Sequence, residues 1–199
     1  RDKFAVAFGS PEITADRVDL ALEQFLLTLL AADSKFDRSL RGAAELTEEE
    51  KAGFALFVTE YDPVRGKRGA DCFHCHGSEN NPLWTDNKFH NNGLDANPTD
   101  LGLALATGDP NDNAKFKSPS LRNLAFTAPY MHDGRFATLE EVIDHYSEGL
   151  QNSSTVDPLM KKVAQGGVQL NPTEKANLKA FLLSLSDFSF INNPEYAQP

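Results

Sequence analysis

Residues 72–76 read Cys-Phe-His-Cys-His, and Cys72 and Cys75 are the only two cysteines in the 199-residue chain. No other feature restricts the fold as strongly. Two thiols one helical turn apart can add to the two vinyl groups of one porphyrin, and the adjacent His76 then reaches the iron from the proximal side. The spacing therefore predicts one covalently attached haem c. Two other chemistries use paired cysteines. A thioredoxin-type redox pair calls for a surrounding βαβ pattern, which the sequence lacks. A zinc site calls for four ligands at tight spacing. His90 is available, but the next histidine, His132, lies 42 residues further on. His74, between the cysteines, reads as a solvated filler. Haem c attachment also predicts an exported location, the periplasm or a cell surface.

Charge narrows the partners. Lys and Arg number 19 against 29 Asp and Glu, a formal net charge of −10. Nucleic acid is excluded, because meeting phosphates takes a basic footprint. A cationic protein or a small substrate remains. The longest apolar stretch, Phe25 to Ala32, is too short to span a bilayer. The first residue is Arg1 and no signal-peptide h-region follows, so the sequence reads as a processed or cut product.

Periodicity predicts helices and long loops. Val18, Leu22, Phe25, Leu26 and Leu29 share one face of a helix expected over Thr14 to Ala32. Asp33 to Glu45 is polar and contains Gly42, so a loop is expected. Thr47 and Glu50 form a capping box for a helix reaching about Tyr61 and burying Phe54, Phe57 and Tyr61. From Gly77 to Phe116 the chain is rich in Asn, Asp, Pro and Gly, and a loop of that length in a compact domain wraps something. Pro119 to Asn123 is expected to open a short helix. Thr138 and Glu141 cap another, running to about Glu148. Asn171 and Pro172 start the last, with Leu178, Phe181, Leu182 and Leu185 as its stripe. The tail after Ser186 has no period. The whole is expected to be mostly α, with long ordered loops and little or no sheet.

The run from Phe116 through Thr127-Ala-Pro-Tyr-Met-His-Asp-Gly-Arg-Phe136 to Tyr146 closely resembles the bacterial di-haem cytochrome c peroxidase and MauG family. So do Phe89-His90-Asn91 with Gly93-Leu94, and Ser34-Lys-Phe-Asp-Arg38. The resemblance implies a cytochrome-c-like haem domain and covers most of the chain, but only the second half of the family's length. Residues 1–46 then form an N-terminal helix and linker that would pack against a missing first haem domain, and 47–199 form the haem domain. The implied role is the electron-transfer half of a di-haem oxidoreductase, relaying electrons to or from a peroxide-reactive haem in the first domain. A small redox protein, a cytochrome or cupredoxin, is the implied electron partner, and hydrogen peroxide or another protein is the implied substrate. The competing expectation is a stand-alone mono-haem carrier.

In this family the distal ligand of the second haem lies 14 residues after the His of the Pro-Tyr-x-His-x-Gly segment, and from His132 that count lands on Tyr146. Tyr there resembles the MauG branch, Met the peroxidases. On an ideal helix Tyr146 shares a face with Leu139, Val142 and Ile143. The plain alternative is a core aromatic. Met131, 55 residues after His76, is the competing ligand, and Met160 a weaker one. The choice matters, because a thioether raises the potential while a phenolate favours ferric iron. The resemblance further implies that the backbone carbonyls of Thr127 and Pro129 help bind Ca²⁺, against a simple turn at Pro129. Arg122 and Arg135 are candidates to neutralise haem propionates, against ordinary ion pairing. His90 is a candidate propionate donor or a turn cap. Trp84 is a packed aromatic by default and an electron relay on the bolder reading.

Overall fold

Local capping chemistry opens four of the helices. Thr47, Thr138 and Asn171 each accept a hydrogen bond from the backbone N–H three residues on, and Glu50, Glu141 and Glu174 reach back to the cap backbone. These boxes start α4 (Glu48–Val58), α7 (Leu139–Asp144) and α8 (Pro172–Ser184). A fourth box, Ser34 with Asp37, starts α3 (Lys35–Leu40). This helix corrects the loop expected over 33–45. Six residues carry no readable period, and the closing carboxylate is Asp rather than Glu.

The structure, a computed structural model, describes residues 1–196, so the expected haem domain of 47–199 ends outside the described residues. The remaining helices are α1 (Asp2–Phe8), α2 (Ala15–Thr28), α5 (Phe73–His76), α6 (Ala104–Thr107) and α9 (Phe188–Ile191). Two strands, β1 (Phe89–His90) and β2 (Phe116–Lys117), pair antiparallel with His90 opposite Phe116. The mostly helical expectation holds. Boundaries differ where a local bond ends the helix. α2 stops at Thr28, and α4 stops at Val58, where Thr59 turns extended. The helix expected from Pro119 is instead a 3₁₀ turn at Leu124–Phe126, delayed by Asn123 in the left-handed region. The tail contains α9, capped by Asp187.

The dominant packing is α4 against α8. It depends on Gly53, where a Cβ would stand 1.9 Å from the Asn177 carbonyl oxygen. Around this contact Phe36, Phe57, Trp84 and Phe181 pack with ring centroids 5.1–5.6 Å apart. Each such pair adds about 0.5–1.5 kcal/mol beyond burial. Phe36 comes from α3, so this part of 1–46 packs into the core formed by the residues that follow it. The Asp37–Arg122 pair, at 2.8 and 2.9 Å, ties α3 to the same body. By contrast α2 buries none of its residues. Leu22, Phe25, Leu26 and Leu27 are each more than half exposed, at 53%, 51%, 62% and 62%.

Gly53→Ala should destabilise the protein by about 1–3 kcal/mol or more, as overpacking does. Denaturant unfolding checks this, and an unchanged midpoint would show that α4 and α8 are not held this closely.

Candidate functional site

The elements converge on a cavity of about 500 Å³. Cys72, Cys75 and His76 on and beside α5 form part of its wall. Leu139, Val142 and Ile143 of α7, Leu178 and Leu182 of α8, and the loop from Phe116 to His132 form much of the rest. The lining is largely apolar, and the two thiols are free. Such a wall suits a large flat apolar group attached through sulfur.

The donor chemistry fits that group. His76 Nδ1 lies 3.2 Å from the Trp84 carbonyl oxygen, which orients the ring and leaves Nε2 for a metal. Burial holds the His76 pKa below the ordinary value, so the imidazole is neutral, the form that ligates. Burial also pushes Cys72 and Cys75 up to about 12 each. Both thiols are therefore held in the protonated form.

Tyr146 and Met131 line the same cavity. The helix of Tyr146 does not continue as ideal α. α7 passes into a π-turn at His145–Gly149, a distortion that recurs at functional sites. Tyr146 still reaches the cavity, while His145 turns away and its Nε2 lies 3.1 Å from the Asn92 carbonyl oxygen. Asn92 Nδ2 donates to Tyr146 Oη at 3.1 Å and sits 3.4 Å from Met131 Sδ. Burial raises the Tyr146 pKa to about 12, against the pull of that hydrogen bond. Sequence reasoning missed Asn92. Its only signal was its place inside the Phe89–Leu94 run.

The other expected residues fall as follows. Trp84 is buried at 2% exposure in the aromatic core and touches the site through its carbonyl. Arg122 does not line the cavity, and its guanidinium is held by Asp37. Arg135 pairs with Asp95 and Asp133 in a smaller neighbouring hollow, with Asn92 and His132 on the shared boundary. His90 lines the main cavity, yet both ring nitrogens face carboxylates, Asp157 at 2.6 Å and Asp86 at 2.8 Å. All three propionate candidates thus have carboxylate partners of the protein's own, because charge pairing inside an acidic chain consumes its cations. Thr127 and Pro129 lie on the cavity wall, as do His132, stacked 3.7 Å from Phe116, and Met160. His74 is not freely solvated. It packs on Phe73 and lies 3.6 Å from Asp71.

A mostly helical domain with a free Cys-x-x-Cys-His on the wall of an apolar cavity defines the class of c-type haem domains. No family model matches the chain. The methylamine utilization protein MauG of Methylophilus methylotrophus is 35% identical, over 93% of this chain and 51% of that protein. The cytochrome-c peroxidase IdrP2 of Denitromonas iodatirespirans is 33% identical, over 90% of this chain and 51% of its own length. Among solved structures, a MauG-like protein associated with microbial copper homeostasis is 41% identical with a TM-score of 0.71, covering 84% of this chain and 52% of that one. The chain belongs to the bacterial cytochrome c peroxidase and MauG family, and it spans about half the length of the curated relatives it matches.

Burial lowers the His90 pKa, but the hydrogen bonds to Asp157 and Asp86 outweigh it and raise the group above its ordinary 6.5. The stability this cation contributes is fully present below pH 6.5 and is lost as pH rises through the raised folded value. His90→Asn should therefore lower the thermal midpoint most on the acid side of that window, with a shrinking difference as pH rises. A pH-independent difference would show that His90 is not held as the cation.

Proposed function

We propose that this chain is the electron-transfer half of a di-haem oxidoreductase of the peroxidase and MauG kind. Cys72 and Cys75 would anchor one haem c, His76 would be its proximal ligand and Tyr146 its distal ligand. One observation carries the reading: a single apolar cavity collects both thiols, the His76 imidazole and the Tyr146 hydroxyl. When bound, the haem supplies one-electron redox chemistry. The protein's residues do the rest. Trp84 holds His76 in orientation through its carbonyl, and the apolar wall excludes water. With His76 and Tyr146 both holding its haem, this chain would offer peroxide no open site, and peroxide reduction would belong to a second haem domain. The half-length match to the relatives and the uncovered apolar face of α2 both support such a domain. Carbonyls of Thr127 and Pro129 would give Ca²⁺ its preferred hard oxygens beside that domain. Trp84, buried beside His76, is the proposed relay, and unchanged electron-transfer rates in Trp84→Phe would reject it. The setting is the periplasm or cell surface, the electron partner a small cytochrome or cupredoxin, and the substrate hydrogen peroxide or a protein.

A second reading has its own observation. Met131 Sδ lies 3.4 Å from the same Asn92 amide that holds Tyr146. A mono-haem carrier with Met131 as distal ligand would use that sulfur.

The ferric spectrum separates the two. On the first reading Tyr146→Phe removes a phenolate-type signature and Met131→Leu leaves it intact. A near-infrared sulfur-to-iron band that disappears in Met131→Leu would establish the second. The haem-loaded chain alone should show little peroxide turnover, and efficient turnover would contradict a site closed on both faces.

A further inference from the structure

The segment from His90 to Gly93 is tied down at every residue. His90 is clamped between Asp86 and Asp157. Asn91 donates to Ser153 and Thr155, and its side-chain oxygen accepts from the Gly93 N–H at 3.0 Å. The Asn92 carbonyl oxygen faces His145 Nε2, from the residue next to Tyr146. Gly93 has φ +67°, and a Cβ there would meet the Gln151 carbonyl oxygen at 3.0 Å. The one side chain this clamped segment directs at the two candidate ligands is that of Asn92.

We propose that Asn92 is a positioning residue for the distal ligand, whose amide N–H fixes the Tyr146 oxygen and draws negative charge from it. The inference rests on Tyr146 being the ligand. A phenolate has no proton to donate, so its partner must present an N–H, and Asn92 Nδ2 does so at 3.1 Å. A hydrogen bond to a charged oxygen is roughly twice as strong as a neutral one, whereas a thioether sulfur accepts weakly. The shared amide therefore favours the phenolate over Met131. Its hold also withdraws electron density that the oxygen would otherwise give to ferric iron. The bonds that hold the backbone around Asn92 all come from the protein itself, which is the support a positioned donor requires.

The test uses the haem-loaded chain carrying Met131→Leu, which removes the competing sulfur. Adding Asn92→Leu should shift the ferric-to-ferrous equilibrium about tenfold toward ferric, a fall of ~59 mV for one electron. The phenolate-to-iron band should move to lower energy. Asn92→Gln, which keeps an N–H donor, should stay nearer the parent in both readouts. Circular dichroism and covalent haem yield identify a variant that has misfolded, in which case Asn92→Gln against the parent supplies the comparison through a smaller shift of the same sign. An unchanged or raised potential in folded Asn92→Leu, with the phenolate band intact, overturns this role and leaves Tyr146 as ligand. Absence of a phenolate band in the parent overturns the Tyr146 reading and this role with it.

Discussion

An apolar hollow through the middle of a small helical domain is the constraint on which everything else depends. Covering apolar surface from water is the main favourable contribution to folding, and the wall around these roughly 500 Å³ is largely apolar. The side chains of α4, α7 and α8 do not fill the hollow. The aromatic cluster of Phe36, Phe57, Trp84 and Phe181 forms the core that the protein completes by itself. The proposed haem is thus a structural element as well as a redox centre, and the long loops from Gly77 to Phe116 have something to wrap.

The surrounding charges follow from the same constraint. An acidic chain that encloses a dianionic macrocycle needs cations, yet Arg122, Arg135 and His90 all have carboxylate partners in the protein. Those pairs act as struts. Arg122 locks α3 to the loop after β2, and His90 locks β1 to Asp157. The segment that follows β1, held through His90 and Asn91, presents the Asn92 amide to the Tyr146 hydroxyl.

Signals complete within a few residues were legible. Cys72-x-x-Cys75-His76 carries its chemistry in five positions, and the boxes at Thr47, Thr138 and Asn171 each close within one turn. The box at Ser34 closes equally locally but with Asp37, and its helix is too short to show a period. The π-turn was not legible, because Tyr146 lies on the apolar face in either geometry. Long-range pairings were the least legible. Nothing near Arg122 in the sequence points to Asp37, 85 positions away, or near Tyr146 to Asn92, 54 away. The apolar residues of α2 were legible as helical, but the structure buries none of them, and Leu29 of the expected face falls beyond the end of the helix.

The most direct measurement is the intact mass of the purified protein under denaturing conditions, read beside its visible spectrum. A coloured chain heavier than its sequence by one haem, with no free thiol at Cys72 or Cys75, is the result this account predicts. A chain of bare sequence mass, with both thiols open to alkylation and any pigment extracted by acid, would contradict it.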